Sequence, residues 1–169
     1  MDQYLYCQRC GEVSEVEIRE EKETYPVKNE QTEILASLTY CRQCGEQIWN
    51  ESLDENNLKE AYRIYRLKHG LLQPEVIKRI REKYGLSQTS FGKLLGLGEK
   101  TIVRYENGSI QDSALNNLIE LAGYPFVFAL LVAKNKACLS DKEYQRVMHI
   151  LMSDDACDPR ECSHKRQIS

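Results

Sequence analysis

Two matched cysteine pairs, Cys7-x2-Cys10 and Cys41-x2-Cys44, carry the plainest chemistry in this chain. A Cys-x2-Cys turn lets two sulfurs converge on one ion. The glycine after each pair, Gly11 and Gly45, permits the left-handed backbone that such a turn needs. Four thiolates make up the ligand set of a closed, tetrahedral zinc site with no coordination position left for catalysis. The expected cofactor is therefore one structural Zn2+ per chain, held by Cys7, Cys10, Cys41 and Cys44. Two disulfides, buried free thiols, or iron in the same four-sulfur cage are the alternatives. Cys138, Cys157 and Cys162 lack the pairing. Cys138 reads as a small packing residue, and the Cys157-x4-Cys162-x-His164 pattern as incidental.

A second constellation lies between Ile80 and Gly108, where short amphipathic helices are separated by glycine turns. Ser87-Gln88 opens one helix, whose free N–H groups and Gln88 side chain suit a phosphate. Gly92 leaves room for a neighbouring helix, and Leu97-Gly98 turns the chain. In the next helix Ile102 and Tyr105 face inward. Glu99, Lys100, Thr101, Val103 and Arg104 then point away from the core, on the face that a helix-turn-helix lays in the major groove. Arg104 and Lys100 can donate to guanine O6 and N7, and Val103 can touch a thymine methyl. The candidate DNA-binding set is thus Gln88, Glu99, Lys100, Thr101, Val103 and Arg104. The plain alternative is a helical domain with a solvated charged face.

The elements that would position these groups fall into two classes, so the expected fold class is α+β. The alternation of Val16 and Ile18, and of Ile34, Ala36, Leu38 and Tyr40, predicts two or three strands of a small antiparallel sheet. The charged stretch 20–33, with Pro26 and Lys28-Asn29-Glu30, reads as turn chemistry between them. Ser52 is the expected cap of a helix with Leu58, Ala61, Tyr62 and Tyr65 as its apolar stripe, ending at His69-Gly70. Beyond Pro74 every periodicity is helical: about 75–84, then a helix capped by Ser87 that carries Phe91, Leu94 and Leu95, then about 99–106 and 112–122. A helix from Pro125, apolar on all sides, must be buried or lie in a subunit interface. Ser140 caps the last one. The expected domains are 1–51 for zinc, 52–74 as linker helix and hinge, 75–152 for DNA binding and dimerisation, and 153–169 as a flexible tail.

The chain has 169 residues, 41% of them hydrophobic and 29% charged, and suits one ordinary domain or two small ones. The longest wholly apolar run, 126–133, is far short of the ~20 residues that span a bilayer. The start, Met1-Asp2-Gln3-Tyr4, lacks a secretory signal's basic and apolar regions, so a cytoplasmic location without membrane attachment is expected. The net charge of −3 hides a swing along the chain. Residues 1–58 carry 5 basic and 13 acidic side chains, whereas residues 59–108 carry 11 and 5. A basic middle suits phosphate, and the acidic part suits a basic partner. No Ser/His/Asp set, histidine pair or phosphate-binding glycine loop supports an enzyme. His69, His149 and His164 are scattered, as caps or surface residues would be.

The run from Leu86-Ser87-Gln88 to Arg104-Tyr105-Glu106-Asn107-Gly108 resembles the Cro/repressor-type, Xre-like helix-turn-helix. With the two cysteine knuckles, strands and linker helix before it, residues 4–122 resemble the MqsA-type antitoxin family with its YgiT-type zinc finger. The resemblance implies a sequence-specific repressor. It would be the antitoxin of a type II toxin–antitoxin pair, binding a toxin encoded nearby and repressing its own operon as a homodimer on palindromic double-stranded DNA. It places base reading on Lys100 and Arg104. Lys100 stands where a family member has Asn, a departure that bears on the base read there. The competing reading is a phage or mobile-element regulator without a toxin.

Overall fold

The computed structural model describes residues 4–153. The chain divides into two compact units, Met1–His69 and Gly70–Ser169. The expected tail, with Cys157, Cys162 and His164, lies outside the described residues apart from Ser153.

The first unit is one antiparallel sheet, in the order β1 (Tyr4–Cys7), β2 (Glu12–Val27), β3 (Glu30–Cys41), β4 (Gln47–Ile48), and a helix, α1 (Glu51–Lys68). The hairpin β2–β3 dominates it, in unbroken register from Val16↔Cys41 to Val27↔Glu30. The charged stretch read as turn chemistry is therefore mostly strand. Its turn is only Lys28-Asn29, with Lys28 at φ 52°. A run of Glu and Lys can extend the hairpin because most of those side chains stay in water.

Thr32, Ile34, Ala36 and Leu38 are buried on one face of β3. The packing of α1 against β3 and β2 makes it part of this unit rather than a free linker. Its cap is Asn50, whose side chain accepts from Leu53 N, and not Ser52. The buried stripe differs too. Leu58 is exposed, and Asn57 takes the inward place beside Ala61. Asn57 Oδ1 accepts from Ser37 N at 3.0 Å, and its Nδ2 donates to Ser37 O at 3.0 Å. This amide closes the β3 backbone as a strand would. An apolar side chain there would leave two backbone groups unpaired.

The second unit is helical: α2 (Pro74–Lys83), α3 (Gln88–Leu94), α4 (Thr101–Glu106), α5 (Ser113–Ala122), α6 (Pro125–Lys134) and α7 (Asp141–Met152), with a short 3-10 turn at Lys136–Cys138. Ser87, Asp112 and Ser140 cap α3, α5 and α7 through side-chain oxygens; Ser140 and Glu143 form a full capping box. One core joins Ile77, Tyr84, Phe91, Leu94, Ile102, Ile119, Phe128, Val132 and Val147. Tyr84 and Phe128 stack with centroids 3.5 Å apart. So α6 is neither wholly buried nor wholly surface. Phe128 and Val132 face the core, while Phe126 and Leu130 are 75% and 56% exposed. Cys138, read as a packing residue, is exposed. No single helix among the described residues is long and apolar enough to cross a membrane.

Candidate metal centre and nucleic-acid interface

The cysteine knuckles sit at the four-stranded end of the sheet, away from the β2–β3 turn. Cys7 ends β1 and Cys41 ends β3, while Cys10 and Cys44 lie in the turns that follow. Each turn closes by a backbone bond, Gly11 N to Cys7 O and Gly45 N to Cys41 O, both 2.9 Å. Gly11 and Gly45 take φ of 75° and 72°, values that a side chain disfavours.

All four sulfurs lie within 4.8 Å of one another, and the cysteines are free rather than disulfide-bonded. Cys7 Sγ is 3.5 Å from Cys44 Sγ, and Cys10 Sγ is 3.9 Å from Cys41 Sγ. A tetrahedron with zinc–sulfur bonds of about 2.3 Å has edges of about 3.8 Å, so the set fits zinc.

The electrostatics also call for a cation. The Cys44 backbone N–H, opposed by burial but aided by the Gln43 N–H, draws the Cys41 thiol down to about 6. The Cys44 thiol, burial and the other two cysteines push Cys10 up to about 12. Four neighbouring thiols cannot all ionise without a positive ion between them, and one zinc supplies that charge. The site holds one structural zinc, whose binding is folding free energy for a small acidic sheet.

The second candidate surface is built from α2, α3 and α4. The turn between α3 and α4 is a left-handed cap at Gly96, φ 71°, with Leu97 N bonded to Gly92 O at 2.9 Å. The chain therefore turns at Leu95-Gly96, two positions earlier than Leu97-Gly98. A methyl on Gly92 would touch Ile102 Cγ1 at 3.5 Å, an ordinary contact, so alanine would fit there.

Ile102 and Tyr105 are buried, as their spacing implies. Glu99, Lys100 and Arg104 are exposed, while Thr101 and Val103 are half-buried. Lys100 is the residue before the helix rather than within it. Glu99 makes an exposed ion pair with Lys93 at 3.6 Å. Among the described residues, neither Lys100 nor Arg104 forms an ion pair.

Gln88 is not a free phosphate ligand. Its Nε2 donates to Glu106 Oε2 at 2.7 Å. Glu106 is gripped in turn by Arg81, whose Nη1 donates to Leu86 O at 2.9 Å. Burial pushes the Glu106 carboxyl up, but Arg81 and Gln88 outweigh it and hold the group below its ordinary range. Sequence reading missed Arg81 and Glu106, because a charged residue in an amphipathic helix reads as surface. The signal was that both fall beside core positions, Arg81 after Ile80 and Glu106 after Tyr105.

No curated protein matches the chain. A family model described as the antitoxin component of the bacterial toxin–antitoxin system, MqsA, matches residues 5–123. That stretch takes in the four cysteines, the sheet, and α1 to α5. With well over half its length matched, and the four-sulfur site and helical segment in place within the match, the chain belongs to the MqsA antitoxin family.

Proposed function

We propose that this protein is a sequence-specific DNA-binding repressor. It acts as the antitoxin of a type II pair, binding its toxin and repressing its own operon as a homodimer on a palindromic site. Its work is binding, not catalysis. The observation that carries the DNA reading is the two-sided α4. Ile102 and Tyr105 are in the core, Thr101 and Val103 are half-buried, and Arg104, with Lys100 just before the helix, is exposed.

On this reading Arg104 makes two parallel bonds to one guanine, Lys100 a second polar contact, and Val103 an apolar one. Glu99 and Thr101 flank them. Gln88 stands at the first turn of α3, oriented by Glu106, and contacts the backbone rather than a base. A six-residue α4 reads few base pairs, so two copies on a palindrome supply the length of site that selectivity needs. The acidic first unit suits a basic toxin, and zinc gives that unit its shape. Mixing the purified chain with the product of the adjacent gene, and with DNA from upstream of both, tests the reading. A ternary complex whose formation requires Arg104 is expected. Failure to bind either partner would overturn it.

A further inference from the structure

The family match ends at residue 123, but the second unit does not. The segment beyond it grips the end of α3 and the turn between α2 and α3. Asn135 Nδ2 donates to Leu94 O at 3.0 Å, and Arg146 Nη1 donates to Gly85 O at 3.0 Å. The third contact is of another kind. Ser87 Oγ donates to Ser90 Oγ at 2.9 Å, and Ser90 Oγ donates to Glu143 Oε1 at 2.6 Å. Glu143 Oε2 accepts from Ser140 N at 3.1 Å and Ser140 Oγ at 2.8 Å.

The chain Ser87→Ser90→Glu143 thus commits both hydroxyl protons at the start of α3, that of Ser90 to a carboxylate on α7 and that of Ser87 to Ser90 Oγ. Packing α7 does not require that charge, since a neutral acceptor could receive the same bonds. The Ser90 bond first, and then those from Ser140, hold the carboxyl below its ordinary range, so it is ionised near neutral pH. Lys142 and Arg146 are the cations of α7. Arg146 donates Nη1 to the Gly85 carbonyl; its charge also acts on Glu143, but it makes no bond to the serine hydroxyls, whose chain ends on Glu143. In a helix-turn-helix, the helix before the recognition helix crosses the sugar–phosphate backbone.

We propose that Glu143 is a brake on DNA binding: it holds the Ser90 proton, and through Ser90 that of Ser87, and sets a negative charge beside the turn that the phosphates must approach. The proposal rests on the DNA reading above. It makes α7, which lies outside the family match, a regulator of affinity that acts on all sequences alike, because phosphates carry no sequence information.

The test is a titration of the full chain against a labelled duplex from upstream of its own gene and against a scrambled duplex, at about 50 mM and about 300 mM salt. Glu143→Gln keeps an acceptor for Ser90 and removes the charge. It should bind both duplexes about threefold to tenfold more tightly at the lower salt, and the gain should shrink at the higher. Glu143→Ala, which also frees the hydroxyls, should bind at least as tightly as Glu143→Gln. Glu120→Gln removes the same charge from the exposed side of α5 and should stay within about twofold of the parent. Parent-like or weaker binding by both Glu143 variants would overturn the brake, as would an equal gain in Glu120→Gln. A parent chain that binds neither duplex would overturn the DNA reading and the brake with it. A parent that binds, with no gain in the variants, overturns the brake alone.

Discussion

Arg81 holds both oxygens of Glu106, with Nε to Oε1 at 2.6 Å and Nη2 to Oε2 at 2.8 Å, and their side chains are 10% and 5% exposed. The pair ties the end of α4 to the end of α2, and through Gln88 to the start of α3. Removing one partner leaves the other charged and buried, at a cost of about 3–5 kcal/mol. Arg81→Met should therefore destabilise the second unit by that order in urea, read by far-ultraviolet circular dichroism. The first unit, which holds neither residue, should keep its zinc under conditions that unfold the second in the variant.

The same carboxylate makes stability depend on pH. The folded Glu106 value lies below its ordinary 4.5, so its stabilisation is full above that value and is lost as pH falls through the folded one. The second unit should weaken below about pH 4.5, and Glu106→Gln should be less stable at neutral pH but flatter towards acid. Stability titrations from pH 7 to about pH 3 read both. A Glu106→Gln curve parallel to the parent's would assign the acid loss to other carboxylates.

Chelation should unfold the first unit and spare the second. The metal stands in for a core that this small acidic sheet can barely build. Excess chelator, or Cys7→Ser or Cys41→Ser, should remove the sheet contribution to the far-ultraviolet circular dichroism and release one zinc per chain. The helical transition should persist. Native protein without stoichiometric metal would contradict the assignment of zinc.

The two sides of α6 separate folding from assembly. Phe128→Ala opens the core beneath Tyr84 and should cost about 3–5 kcal/mol. Phe126→Ser with Leu130→Ser changes only exposed positions. It should leave the melting temperature close to the parent's while weakening the proposed dimer, read by sedimentation. Truncation at Gly123 is a poor test of the dimer, because it also removes Phe128, Val132 and Val147 from the core.

Much of this was legible in the residues. The cysteine spacing gave the metal site because two turns of fixed length bring sulfurs together whatever lies between them. The helical half was legible because apolar residues repeat at helical period within each helix: Ile102 and Tyr105 in α4, Leu115, Leu118, Ile119 and Ala122 in α5, and Tyr144, Val147, Met148 and Leu151 in α7. Buried polar groups were the least legible. Asn57 faces inward from α1, and Arg81 and Glu106 are buried in the helical unit, because partners far along the chain receive them: Ser37 for the first, and each other for the second pair. Local pattern cannot report such partners. The charged arm of β2 was misread for a related reason, since its cross-strand partners, and not its own composition, make it a strand.

The central claim is that α4 reads DNA through Arg104. Arg104 is exposed, and its neighbours Ile102 and Tyr105 are anchored in the core, so Arg104→Ala should leave the fold, the zinc and any toxin binding intact. The measurement is the affinity of parent and Arg104→Ala for the upstream duplex and for its scrambled form, at one stated salt concentration. A loss of about 1–3 kcal/mol on the upstream duplex, with little change on the scrambled one, is the predicted result. Equal affinity of parent and Arg104→Ala for the upstream duplex would contradict the account.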